Sequence, residues 1–264
     1  MIRYRTWGEG PFSVALVHGG PGAPGEMGPV ARELSVAHGI FEPFQAATSV
    51  RGQVIELAAH LREHAALPAV LVGHSWGAML GLLVAAAHPS TVAKLVLIGS
   101  GPLDPVYAAR IMETRLGRLT KEDRDELVLL QKTLNDPSEL PSSAEFARYG
   151  DLSARADSVD PIATEPAGFA FQVALHRQVW DEAAALRASG YFIEQARAVA
   201  CPVVVIHGAS DPHPVLGVVG PLADAGLSPR VHILAACGHT PWIERQAREG
   251  FFALLKSEIA EPGR

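Results

Sequence analysis

With 264 residues, 48% of them hydrophobic, the chain is long enough for one large α/β domain, or for a core domain carrying an insertion. Its formal net charge of −6, from 22 Lys and Arg against 28 Asp and Glu, argues against nucleic acid or an anionic membrane surface as partner, since both need a basic face. Met1–Phe12 holds no apolar stretch of signal-peptide type, and the longest apolar run, Ala78–Ala87, falls short of the ~18 residues of a membrane span; a cytoplasmic protein is expected.

In chain order, Ile2–Thr6 reads as an edge strand and Val14–Val17 as a short buried one, which runs into His18-Gly19-Gly20-Pro21-Gly22. Val30–Ala37 has a helical pattern. Gly39–Gln45 is a weaker strand, interrupted by Pro43. In Gln53–His64, Val54, Leu57, Ala58 and Leu61 fall at helical spacing. Val70–Val72 is the next buried strand, Ala78–His88 the next helix, and Leu95–Ile98 a further strand. From Leu103 to Ser189 the alternation stops. Arg110–Gly117, Lys121–Asn135 and Phe169–Leu186 look helical there, separated by Pro137, Pro141, Pro161 and Pro166. The pattern then resumes with strand Val203–Ile206, helix Leu216–Ala225, strand Val231–Leu234 and a closing helix Trp242–Ile259. Short, β-branched, non-alternating runs with helices between them predict a mostly parallel sheet of about seven strands, covered on both faces. The expected division is a core of residues 1–102 and 190–264, with 103–189 as a helical cap over the carboxyl ends of the strands, where open α/β sheets bind ligands.

Gly73-His74-Ser75-Trp76-Gly77 matches G-x-S-x-G, with a buried strand before it and a helix pattern after it. On such a turn the Ser75 hydroxyl projects above the sheet, and Gly73 and Gly77 remove side chains that would collide with neighbouring elements. The helix that follows aims its amino-terminal amides at the same point. The loop His18–Gly22 can offer backbone N–H groups unobstructed by side chains. Acyl transfer needs two such donors for the developing oxyanion, and the amides of Gly20 and Trp76 are the candidates. A phosphate-binding loop is the rival reading of His18–Gly22, but no lysine stands where G-x-x-x-x-G-K-[ST] requires one.

Together, the His18–Gly22 loop and the Gly73–Gly77 elbow resemble the proline iminopeptidase branch of the α/β-hydrolases. The likeness follows the order of strands and helices to the C-terminus. Of that branch's Asp-x-Arg-Gly-x-Gly-x-Ser loop, the stretch Gln45–Gly52 keeps only Arg51-Gly52. The segment before Val14 has room for one strand where two are usual.

In this fold the triad runs nucleophile, acid, base along the chain. Among the eleven histidines, His239 follows the last strand and is the candidate base. Asp211, after Val203–Ile206 in a G-x-x-D loop, resembles the family's acid. Asp104 and Asp224 are poorer choices, one opening the insertion and the other inside a helix pattern. His207, Asp211 and His213 share no helix face and are broken by Pro212 and Pro214, so no metal is expected, nor any cofactor. Cys201 and Cys237 belong to no CxxC pair and are expected to be unbonded.

These residues predict a serine hydrolase that cleaves small uncharged esters or amides through an acyl-enzyme on Ser75. The resemblance makes a proline iminopeptidase-like aminopeptidase, acting on short peptides, the second reading. A non-catalytic small-ligand receptor on the same fold is a third. An aminopeptidase needs carboxylates for its substrate's α-ammonium group, and the insertion offers Glu113, Glu165, Asp181 and Glu182. Among the insertion's aromatics are Tyr107, Tyr149, Phe169, Phe171 and Trp180, and some should line the substrate pocket, with Tyr107, Phe169 and Trp180 the first choices.

Overall fold

The apolar runs of the sequence become the strands of one sheet in the computed structural model, which describes residues 3–136, 142–164 and 168–261. Along the chain come β1 (Tyr4–Trp7), β2 (Val14–Val17), α1 (Gly28–Leu34), β3 (Ile40–Pro43), α2 (Val50–His64), β4 (Ala69–His74), α3 (Trp76–Ala87) and β5 (Val92–Ile98). Then follow the helices α4 (Pro105–Arg118), α5 (Lys121–Asn135), α6 (Ser143–Asp157), α7 (Val173–Ala188) and α8 (Tyr191–Ala196). The chain closes with β6 (Val203–Gly208), α9 (Leu216–Asp224), β7 (Arg230–Leu234) and α10 (Arg248–Ala260).

The seven strands lie in the order β1-β3-β2-β4-β5-β6-β7. Only β1 is antiparallel to its neighbour; the other pairings are parallel. Successive side chains of a strand point to opposite faces, and the two faces build two cores. Ala15, Val17, Leu71, Leu95, Leu97 and Val205 pack with α2, α3 and α9 on one side. Val14, Leu16, Val72, Val96, Ile98 and Ile206 pack with α1 and α10 on the other. The doubly buried pattern therefore holds for β2 to β6. It fails for β7, where Val231 and Ile233 are 39% and 50% exposed, because β7 pairs only with β6 and forms the sheet's edge. Pro43 does not break β3: it occupies the last position of the strand, opposite Tyr4.

The insertion is more helical than its sequence suggests, with α6 in addition to the three expected helices, and a further helix, α8, follows directly after it. Helices α4 to α6 share a small core of their own around Leu119, Leu127, Leu130 and Leu152. The later part differs: Leu175, Val179 and Ala183 of α7 and Phe192 and Ala196 of α8 join the main core beside α3. Pro137, Pro141, Glu165 and Pro166 lie outside the described residues, as does Ile2. The closing helix starts at Arg248 instead of Trp242, which instead sits in a single 3-10 turn, Pro241–Ile243. Glu244, fully buried, follows that turn with an extended backbone, φ −78° and ψ 113°. Among the described residues no helix is long and apolar enough to cross a membrane.

Candidate active site

The sheet's carboxyl edge gathers the residues singled out by the motifs. Ser75 stands between β4 and α3 with φ 52° and ψ −114°, a left-handed conformation that costs a non-glycine residue on the order of 1–3 kcal/mol. It is held by the flanking glycines. A Cβ on Gly73 would strike the Gly77 carbonyl, and one on Gly77 the Val17 carbonyl, so the elbow closes only with glycine at both places. The Ser75 amide donates to the Ile98 carbonyl at 2.9 Å, tying the turn to β5.

His239 lies in the loop after β7, and its Nδ1 is 2.8 Å from Asp211 Oδ2. Asp211 follows β6, and its side chain is wholly buried. Burial alone would raise its carboxyl, but the imidazoles of His239 and His213 hold it well below the usual carboxylate range. Burial alone would likewise depress His239; the charge and hydrogen bond of Asp211 outweigh it, and the net shift is upward. Ser75 and His239 line one cavity of about 370 Å³, together with Gly20 of the His18–Gly22 loop. No hydrogen bond is closed between the Ser75 hydroxyl and His239 among the described residues, a looseness usual before substrate binds. The amides of Gly20 and Trp76 likewise donate to no other backbone group among the described residues.

With strand order, elbow and the Asp211–His239 hydrogen bond in place, the comparison with known families becomes informative. The family model described as the alpha/beta hydrolase fold matches residues 54–246. The chain belongs to the α/β-hydrolase family. No curated protein sequence matches it. Solved structures resemble it over nearly its whole length. A proline iminopeptidase of Mycobacterium smegmatis is 20% identical with a TM-score of 0.61, covering 97% of this chain and 93% of its own. An E-2-(acetamidomethylene)succinate hydrolase is 20% identical with a TM-score of 0.64, covering 98% and 94%. A thioesterase domain from the curacin biosynthetic pathway is 14% identical with a TM-score of 0.59, covering 96% and 94%. At such identities these likenesses speak for the fold.

Several residues of this α/β-hydrolase that the motifs did not reveal support the histidine. His213 Nδ1 donates to Asp211 Oδ1, 2.8 Å away, and its ring stacks on His239 with centroids 4.1 Å apart. Burial and the neighbouring His239 push His213 down to about 4, so it stays neutral near pH 7. Asp211, His213 and His239 bring donor atoms within 4.8 Å of one another. The two imidazoles are nevertheless stacked nearly parallel, 24° apart, and both spend Nδ1 on Asp211. Ring lone pairs lie in the ring planes, so this arrangement suits a hydrogen-bonded carboxylate better than a tetrahedral ion. His74 Nε2 lies 3.1 Å from the His239 carbonyl, while its Nδ1 is 3.2 Å from Glu26. Glu26 accepts the Gly19 amide at 2.7 Å; burial works against its charge, but His74 and that amide bring it to about 2.

Glu244 is the second missed carboxylate. Its Oε1 accepts the Gly238 and Val159 amides, each at 2.9 Å, and its Oε2 the Asp160 amide at 2.9 Å. The Asp157 carbonyl in turn accepts the His239 amide at 2.8 Å. The end of α6 is thus stitched to the histidine loop. Asp157 also takes a two-pronged ion pair from Arg115, at 2.7 and 2.5 Å.

The cavity's remaining walls come from the insertion. Trp180 lines it, with Tyr149, Phe146, Phe171 and His176. Phe169 instead faces a neighbouring cavity with Glu26 and Trp242, edge-on to Phe44. Tyr107 packs against Gly217 at the start of α9. None of the three described carboxylates, Glu113, Asp181 and Glu182, lines the Ser75 cavity. Glu182 accepts the Val50 amide at the start of α2, Asp181 borders an adjoining cavity that shares Phe146, Tyr149, His176 and Trp180 with it, Glu113 lines none of these, and Glu165 is outside the described residues.

Proposed function

We propose that the protein is a serine hydrolase that cleaves small esters through an acyl-enzyme on Ser75. The observation that carries this is a strained serine elbow sharing a cavity with His239, whose Nδ1 is hydrogen-bonded to the buried Asp211. In this reading His239 Nε2 takes the proton of the Ser75 hydroxyl as Oγ attacks the ester carbonyl carbon. Asp211 holds the imidazole in the needed tautomer and stabilises its positive charge. The amides of Gly20 and Trp76 receive the oxyanion. His239 then protonates the leaving oxygen; a water gives its proton to the same imidazole as it attacks the acyl carbon, the bond to Ser75 Oγ breaks with return of that proton to Oγ, and the acid is released. Residues 103–189 act as the lid that walls the site. Neither a metal nor a cofactor has a part in these steps.

Against the iminopeptidase reading stands the cavity's charge. Among its described lining residues there is no Asp or Glu, but there are Arg115 and Arg187. A substrate's α-ammonium group buried there would find no counter-charge, at a cost of several kcal/mol. Two measurements test the proposal. A fluorophosphonate probe should label Ser75 rapidly, and an inert Ser75 would instead favour a ligand receptor. An aryl ester should be cleaved faster than a prolyl arylamide, with free and N-acetylated prolyl forms treated alike; strong preference for the free amine would restore the iminopeptidase.

A further inference from the structure

The two arginines of the Ser75 cavity are in different states. Arg115 has its charge met by Asp157. Arg187, in the last turn of α7, is only 7% exposed and takes part in no ion pair among the described residues. Its Nε donates to the Pro102 carbonyl at 2.8 Å, and its Nη2 has only the Met79 sulfur, 3.8 Å away. The guanidinium carbon lies over the Trp180 ring, 5.6 Å from its centre. A guanidinium carries five N–H donors in a planar fork. One good acceptor and one weak one leave most of that fork without a strong partner, inside a cavity wall. Burial works against the Arg187 charge, with no nearby carboxylate to offset it. A buried cation without counter-charge is expensive, and an anion entering the cavity would relieve that cost.

We infer that the substrate carries a carboxylate, separate from the scissile ester, which docks on the Arg187 guanidinium. The flat fork matches a carboxylate's two oxygens. The placement is also suitable. Arg187 lines the same cavity as Ser75 and His239, so one ligand can meet the guanidinium and the nucleophile together. A half-ester of a small dicarboxylic acid, its carbonyl and carboxylate joined by a short chain, can present both groups inside that one cavity. The inference rests on the serine-hydrolase reading and replaces the uncharged ester that the sequence favoured.

The test uses the full chain with 4-nitrophenyl half-esters of glutaric and adipic acid, compared with the same compounds methylated at the distal carboxylate. The free acids should show kcat/KM at least tenfold above their methyl esters. Arg187→Met should abolish that preference, lowering kcat/KM for the free acids by roughly 10- to 100-fold, as for a lost hydrogen bond to a charged group. Arg187→Lys should keep part of it, and covers the case in which the methionine variant does not fold. Being a ratio, the preference is insensitive to the fraction of active enzyme. Cleavage of both forms at equal rates by the wild type, or an unchanged ratio in the variants, would overturn the inference and leave the serine hydrolase standing. If no ester is cleaved, calorimetry with monomethyl glutarate decides: binding that is lost on substituting Arg187 upholds the anion site and ends the hydrolase reading, and no binding ends both.

Discussion

At Asp211 one carboxylate serves two imidazoles, and the pair must be treated together. His239 must be neutral to accept a proton, and its value is raised. The acid limb of kcat/KM should therefore lie above the ordinary imidazole value of about 6.5, with activity rising through neutrality. Asp211→Asn should move the limb down and lower kcat by about 10⁴-fold. A limb at or below 6.5 in the wild type would contradict the assignment. Ser75→Ala and His239→Ala should each abolish measurable turnover without unfolding the protein, and the double variant should be no worse than either single one, because the groups act as a unit. His213 gives a stability signature of opposite sign to that of His239. The raised value of His239 adds stability on acidification, a gain complete once the pH is below the unfolded value. His213 is held at about 4 against an unfolded value of 6.5, so between those limits the unfolded chain binds the extra proton. Stability should then fall as pH drops from 6.5 to 4, on the order of 1 kcal/mol per unit. His213→Phe, measured by urea unfolding across that window, should flatten the slope.

At the scale of elements, the decisive join is between the end of α6 and the histidine loop. Glu244→Gln replaces one carboxylate oxygen by an amide nitrogen, which would face an N–H donor. This should cost about 1–3 kcal/mol and lower kcat more than it raises KM, since His239 is displaced while the cavity keeps its walls. An unchanged kcat with a lowered Tm would make Glu244 a stabilising group only. The sequence could show that a helix follows His239, but not that Glu244 faces inward, because a lone glutamate beside a helix reads as a solvated charge. Arg187 was hidden in the same way. Helix α6 was more accessible: Ser142 and Glu145 form a capping box, and S-x-x-E is its written form. It was obscured by Gly150 and by prolines on either side. Strands β2, β4, β5 and β6 and the elbow were readable because doubly buried strands leave continuous apolar runs and the serine turn admits only glycine at two places; β3, with Glu42 and Pro43, leaves a weaker one. The cavity's walls were not, since which aromatic faces Ser75 depends on how the insertion packs.

For the molecule as a whole, the two cysteines lie apart in the fold. Cys201 precedes β6, Cys237 lies in the histidine loop, and both are free. Burial, with Glu244 and Asp211 nearby, pushes the Cys237 thiol up to about 12, and burial raises Cys201 as well. A disulfide-exchange reagent should react slowly with the native protein and find two thiols after denaturation without reductant; fewer than two would reveal a bridge.

The bonds of the α6 end to the histidine loop also bear on how far this chain can be trimmed. The amides of Val159 and Asp160 are held by Glu244, and the Asp157 carbonyl holds the His239 amide. The segment that walls the cavity therefore also supplies part of the scaffold beneath His239. Cutting the insertion away to leave a bare sheet would strand a buried carboxylate with a single amide, and would free the loop that carries His239. A shortened version could keep all three polar groups of the site and still lose their alignment, so any minimal catalyst drawn from this chain has to retain residues 157–162 as part of its core.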